Sequence, residues 1–225
     1  MTAKLGTLTI GQAPRADMTP ILDAVLRPDV PRIHAGVLDG LTRDEIAARF
    51  GPGDKSQLLI TRLLDGTSVV IDHDATEAGA EEKVASLEAQ GCTAILMLCT
   101  GTFHKLKTKS AWLLEPERLL PRSVAALVGD RQLGIIVPLP EQIESESGKW
   151  AHLERSPIYA AGSPYSDDRT AVPRAAQALR AQGAEVLLMD CMGFTHAHKD
   201  MAVEASQLPV ILSNALVAKL VSELL

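Results

Sequence analysis

Cysteine is scarce in this chain of 225 residues, which carries three. Three thiols do not make a disulfide framework, and an odd count points to reduced thiols in a cytosol. Long apolar runs are missing too, and none approaches membrane-spanning length. The chain enters a strand-like run at once, Leu5-Gly6-Thr7-Leu8-Thr9-Ile10, with no apolar signal region or cleavage site. Positive charge is in deficit. The formal net charge of −6 argues against a general nucleic-acid binder. A cytoplasmic protein with neither nucleic-acid nor membrane partners is expected. What remains is ordinary for a globular enzyme, 46% hydrophobic and 22% charged. The length admits one large domain or two lobes.

Against this background one stretch stands out because it has a twin. Leu187 to Phe194 reads LLMDCMGF, and Ile95 to Thr102 reads ILMLCTGT, at an offset of 92. At that offset Leu87 matches Leu179, Ala89 matches Ala181, Gln90 matches Gln182 and Gly91 matches Gly183. Cys99 then matches Cys191, and Gly101 matches Gly193. General likeness between helix–strand units explains the apolar positions, but not two of three cysteines in register. The pattern is an internal duplication of a helix–Gly–strand–Cys–x–Gly unit. In each copy an Ala-rich helix ends at the glycine, a left-handed cap position. An apolar run without alternation follows, as in a parallel strand covered on both faces. The cysteine closes that strand at its carboxyl end, the edge where open α/β sheets bind ligands. A pseudo-twofold between two such lobes would put one thiol on each side of a shared cleft.

Taken in order, Leu5–Ile10 is a first strand and GQAPRAD a loop at its carboxyl end. Gln12, Arg15 and Asp17 therefore stand where ligand groups belong. Arg15 can hold a carboxylate by its two-pronged guanidinium, or form a salt bridge with a nearby acid. Met18–Leu26 reads as a helix. Residues 29–73 read as an insertion, holding a helix opened by the capping box Thr42-x-x-Glu45 and a hairpin about Asp65-Gly66. The hairpin could be a sheet edge, a flap over the cleft, or a surface for homo-oligomerisation. Asp74–Gln90 is the helix feeding Cys99, and Cys92 reads as a buried small apolar residue. The second lobe starts near Glu115, with Pro116 opening a helix through Val128. Leu133–Pro138 then echoes Leu5–Ile10 at an offset of 128. The first strand-to-cysteine distance is thus 36 residues longer in the first half, which agrees with the insertion. Glu141–Arg155 reads as helical with Trp150 as anchor, Asp168–Gln182 as the second feeding helix, and Pro209–Ser213 as the last strand. Asn214 opens the final helix, either capping it or facing the cleft.

Paired thiols suit a proton transfer on two faces of one carbon. One thiolate removes a proton from a carbon acid, the other thiol returns one from the opposite side, and configuration inverts without a cofactor. Each sulfur needs activation, since a free cysteine has a pKa of ~8.5; following amides or a cationic histidine would supply it. Thr100, Thr102, Gln12, Ser213 and Asn214 are candidates to hold the carboxylate of the carbanion. Other readings of the pair stand beside this one. Both cysteines can be buried structural residues, or one a covalent nucleophile and the other a proton donor. A metal site would combine them with His104, His196 or His198, but the spacing fits no zinc pattern, and no metal is expected.

The stretches TIGQAPR (9–15), LEPERLLP (114–121), GIIVPL (134–139), DCMGF (190–194) and LSNALVAKLVSELL (212–225) resemble the AroM family, essentially end to end. That family is more distantly similar to the aspartate/glutamate/hydantoin racemase superfamily. The resemblance implies an α/β fold of two similar lobes with mainly parallel sheets, related by a pseudo-twofold, with the active-site cleft between them. It implies a thiol from each lobe, for which Cys99 and Cys191 match, and a final helix that returns to the first lobe. The lobes are expected at 1–113 with 214–225, and at 114–213. Cys99 and Cys191 are the expected catalytic pair. Gln12, Arg15, Thr100, Gly101, Thr102, Pro138, Gly193, Phe194, Ser213 and Asn214 are the expected contacts to a small carboxylate-bearing ligand. The expected activity is a cofactor-independent racemase or isomerase. The alternative is a metabolite-binding or regulatory protein linked to aromatic amino acid metabolism.

Overall fold

Leu5–Thr9 forms the strand β1 and is buried at every position, Thr7 and Thr9 included. The computed structural model describes residues 3–53, 57–145 and 147–225. They divide into two compact units, Met1–Pro116 with Ala218–Leu225, and Glu117–Val217.

In the first unit β1 is flanked in parallel by β2 (Arg32–Gly36) and by the cysteine strand β5 (Ala94–Met97). The edge strand β6 (Trp112–Leu114) pairs in parallel with β5, giving the order β2-β1-β5-β6. In the second unit β7 (Leu133–Val137) lies between β8 (Ile158–Ala161) and the cysteine strand β9 (Val186–Met189). The edge strand β10 (Val210–Leu212) pairs with β9, so this order is β8-β7-β9-β10, again all parallel. Each sheet places its first strand beside its cysteine strand at the centre. The next strand in sequence takes one edge, and the strand after the cysteine takes the other. The duplication therefore extends to topology. Short helices follow both first strands, α1 (Thr19–Asp23) and, in the second unit, α5 (Gln142–Ser145).

The equivalence corrects the reading of 29–73 as wholly inserted, because β2 is the counterpart of β8. As an edge strand β2 keeps Arg32 and His34 partly or fully exposed, so its sequence carries no apolar run to betray it. The part without a counterpart is α2 (Arg43–Phe50) and the antiparallel hairpin of β3 (Leu58–Arg62) with β4 (Ser68–Asp72). Thr42 closes the expected capping box with Glu45. The hairpin loop has three residues, Leu64, Asp65 and Gly66. Leu63 and Thr67 close it through a 2.8 Å amide–carbonyl bond, and Gly66 sits at φ +84°, a type I turn completed by a left-handed glycine.

The feeding helices are α3 (His73–Ala89) and α6 (Ala171–Ala181). Both end as the repeat requires, with Gly91 at φ +82° and Gly183 at φ +96°. Cys92 then donates back to Leu87 at 3.1 Å, and Ala184 to Leu179 at 3.0 Å. These turns press each helix onto a glycine of the first strand. A Cβ on Gly6 would lie 3.1 Å from Cys92 Sγ, and one on Gly134 only 3.0 Å from Ala184 Cβ. Cys92 thus fills the place that Ala184 fills in the second copy, and burial pushes its thiol pKa up. It is a packing residue.

Beyond α4 (Pro116–Val128), which ends at the left-handed Gly129, comes β7. The helix expected over 141–155 is shorter than the reading. It comprises α5 and a 3₁₀ turn over Ser147–Trp150, followed by turns. Gly148 and the serines around it are poor helix formers, although Trp150 is the expected anchor at 1% exposure. The chain closes with α7 (His196–Ser206), β10 and α8 (Ser213–Ser222).

A single carboxylate fixes the segment leading into β6. Glu88, in the last turn of α3, accepts the backbone amides of Lys109, Ser110 and Ala111 at 2.9 to 3.0 Å. Those amides hold its pKa at about 2, below the ordinary 4.5. A carboxyl depressed in the folded state contributes fully above its unfolded pKa, and loses that contribution as pH falls through the folded value. Amide exchange at Lys109, Ser110 and Ala111, corrected for its intrinsic pH dependence, is therefore expected to quicken progressively between pH 4.5 and about 2. Glu88→Gln should produce the same quickening at neutral pH. Exchange rates unchanged by the substitution would show that the segment is held by something else.

Candidate functional site

In the first unit Cys99 stands two residues beyond β5, at its carboxyl end, and is 9% exposed. The amide of Gly101 donates to Cys99 Sγ at 3.4 Å. The loop that carries this amide is held by α3. His73 Nε2 donates to the Thr102 carbonyl at 2.7 Å, and its ring stacks on Phe103 at 5.3 Å. Glu77, one turn on, accepts the amides of His104 and, at 2.8 Å, Lys105. Burial opposes the charge on Glu77, but those amides and the neighbouring His73 and Lys105 bring its pKa below the ordinary value. His73, Asp74 and Glu77 bring their ligand atoms within 4.8 Å of one another, a grouping a cation could use. In the present arrangement the His73 and Glu77 atoms are engaged with the cysteine loop.

The second unit repeats the central feature. Cys191 stands two residues beyond β9, and the amide of Gly193 donates to its sulfur at 3.4 Å, the distance found at Cys99. Here the loop is held by the start of α8. Asn214 Nδ2 donates to the carbonyls of Met192 at 3.0 Å and Phe194 at 2.6 Å, while Ser213 Oγ donates to the Cys191 carbonyl at 3.3 Å. Thr195 then caps α7 in a reciprocal box with His198. The hydroxyl of Tyr165, from the turn after β8, lies 3.8 Å from Cys191 Sγ. Asp190 sits directly before the thiol, fully buried, with Lys149 Nζ 2.6 Å from its carboxylate.

The residues anticipated from sequence stand at the carboxyl edges of the two sheets, on loops except for Ser213 and Asn214, which open α8. Thr100, Gly101 and Thr102 follow β5, with Gln12 and Arg15 in the loop after the adjacent β1. Pro138 follows β7 and is buried, Gly193 and Phe194 follow β9, and Ser213 and Asn214 follow β10. Several are engaged with their own chain. Arg15 makes the two-pronged contact with Asp17, at 2.8 and 2.7 Å, and is 5% exposed. Gln12 donates to the carbonyls of Leu38 and Leu41 and accepts the amide of Leu64 at 2.9 Å. It ties the loop after β1 to the hairpin turn. Phe194, Ser213 and Asn214 are fully buried and shape the Cys191 loop. The groups missed from sequence are Tyr165, Lys149, His73 and Glu77, all 25 or more residues from the loops they touch. Only the duplication hinted at them, by making both loops worth holding.

The family model described as AroM protein matches residues 5–225. No curated protein matches the chain. Among solved structures, glutamate racemase isoform RacE1 from Bacillus anthracis is similar with a TM-score of 0.66 at 13% identity, covering 99% of this chain and 81% of that one. Allantoin racemase from Pseudomonas fluorescens is similar with a TM-score of 0.62 at 15% identity, covering 98% and 90%. Arylmalonate decarboxylase follows at 0.53 and 17%, covering 95% and 88%. At such identities the likeness establishes the fold, which is that of the aspartate/glutamate racemases.

Proposed function

The chain belongs to the AroM family, and we propose that it is a cofactor-independent racemase or isomerase of a small carboxylate-bearing compound, with Cys99 and Cys191 as its acid/base pair. The observation that carries the proposal is the repeated sulfur geometry. Each thiol closes a matching strand and receives the amide two residues on at 3.4 Å. An amide directed at sulfur favours the thiolate over the thiol, which a merely buried cysteine does not need. Arranging it twice, in register, suits a reaction in which each thiol serves as base in one direction and acid in the other.

In the proposed step one thiolate takes the proton from the carbon beside the carboxylate. The bonding pair stays on that carbon and delocalises into the carboxylate, and the second thiol delivers its proton to the opposite face. The thiol and thiolate have exchanged places, so the next turnover runs from the other enantiomer. Thr100, Thr102 and the loop amides are the proposed carboxylate donors. His73 and Glu77 hold the loop that carries Thr100 and Thr102, Ser213 and Asn214 hold the Cys191 loop, and Gln12 ties the loop after β1 to the hairpin turn.

Incubation in D₂O with a panel of small chiral carboxylates, followed by proton NMR, tests the reading. Loss of the proton signal beside the carboxylate, with loss of optical rotation, is the expected result for at least one class. Tight binding of a panel member with no exchange of its proton would replace this reading with that of a metabolite-binding or regulatory protein.

A further inference from the structure

We infer that Tyr165 is a catalytic residue of the second half-site, and that its hydroxyl favours the thiolate of Cys191; this rests on the two-thiol reading above. The first observation is distance. Tyr165 Oη lies 3.8 Å from Cys191 Sγ, within hydrogen-bond range for sulfur. Either atom can donate while the thiol is protonated, but once the sulfur is ionised only the phenol can. The contact therefore favours the ionised form.

The second observation is what the chain gives up to allow the contact. Gly193 does not have the positive φ that commonly requires glycine, unlike Gly183 at the end of α6. It is excluded from carrying a side chain by Tyr165 itself. A Cβ at Gly193 would lie 2.2 Å from the phenol oxygen and 2.5 Å from the ring carbon that bears it. The second residue after the cysteine is thus glycine so that a phenol can lie over the loop, beside the sulfur. The short turn from Ser163 to Tyr165, where Ser163 Oγ accepts the Tyr165 amide at 3.2 Å, aims the ring there.

The third observation is that the duplication breaks at this point. A Cβ on the matching Gly101 would meet Leu59 Cδ2 at 3.2 Å. Leu59 belongs to β3 of the hairpin, which among the described residues has no counterpart in the second unit. The surroundings of the two glycines therefore differ in chemistry, a hydroxyl at one and a methyl at the other. Both sulfurs receive an amide, but the phenol is added at Cys191.

The test reads each thiol separately and does not depend on turnover. The intact protein is alkylated with iodoacetamide across a pH series, and the rate at each cysteine is followed by mass spectrometry. Tyr165→Phe keeps the ring and removes only the hydroxyl. It is expected to move the Cys191 midpoint upward by about one pH unit, the size of a hydrogen bond to a charged group, and to leave the Cys99 midpoint in place. Gly193→Ala, which displaces the phenol without deleting it, should move Cys191 in the same direction. Thermal melts of both variants establish that the fold is retained. A Cys191 midpoint unmoved in folded Tyr165→Phe overturns the assignment. A shifted midpoint in a protein that exchanges no carbon-bound proton leaves the assignment standing and overturns the proposed reaction instead.

Discussion

Cys99→Ser and Cys191→Ser are each expected to lower racemisation by about 10²- to 10⁴-fold, the usual contribution of a positioned acid or base. Serine preserves the shape of the side chain but not its acidity, so its hydroxyl does not ionise at neutral pH. Inversion needs a working group on both faces, and each variant retains one. Deprotonation and return of a proton on the same face need only that one. Each variant should therefore still wash deuterium into a single enantiomer, and the two variants should choose opposite ones. A structural defect would depress both exchanges alike. Opposite preferences are thus the discriminating result, read by NMR on each pure enantiomer in D₂O. Two folded variants that both exchange the same enantiomer would show that the thiols do not face opposite sides of one carbon.

The Tyr165 contact adds a direction to that experiment. In Cys99→Ser the surviving thiol is the one with the phenol beside it, so exchange should persist to lower pH. Adding Tyr165→Phe to Cys99→Ser should move that exchange to higher pH. Exchange by Cys191→Ser, whose surviving thiol belongs to the first unit, should not respond to Tyr165→Phe.

The elements legible from sequence were those whose signal is local. The glycine caps at Gly91 and Gly183, the Thr42 capping box and the apolar runs of β5 and β9 all declare themselves within a few residues. The two cysteines were legible because the repeat placed them in register. β2 escaped because an edge strand needs an apolar residue only where it touches the core, and Arg32-Ile33-His34-Ala35-Gly36 reads as loop. The polar residues of the site escaped for a different reason. Position at a strand end marks a residue as available to a ligand, but a buried polar group is satisfied by whatever partner the fold brings near. Gln12 found carbonyls 26 and 29 residues away. Asn214 found the two carbonyls of the Cys191 loop from 20 and 22 residues beyond. Such pairings depend on tertiary register, which no local pattern encodes.

Lys149→Met is expected to destabilise the protein by about 3–5 kcal/mol, the cost of leaving a buried charge without its counterion. Lys149 Nζ lies 2.6 Å from Asp190 Oδ2, and the two side chains are 3% and 1% exposed. The ammonium also lies 5.3 Å from the ring centre of the buried Trp150, so methionine loses a cation over that ring while roughly preserving volume. Asp190 is the residue before Cys191, and its amide is bonded to the Ile136 carbonyl of β7 at 2.9 Å. The charge therefore cannot move to solvent without disturbing the end of the cysteine strand. Denaturant unfolding of Lys149→Met measures the loss. Lys149→Met combined with Asp190→Leu should recover most of it, because removing both charges removes the desolvation cost along with the attraction. Recovery in the double variant would identify a charge-pair effect, whereas losses that add would mean that each side chain matters for packing alone. The thiol supplies an independent reading. A carboxylate stripped of its counterion beside Cys191 opposes a second negative charge there, so folded Lys149→Met should alkylate more slowly at Cys191 near neutral pH, and the double variant should not.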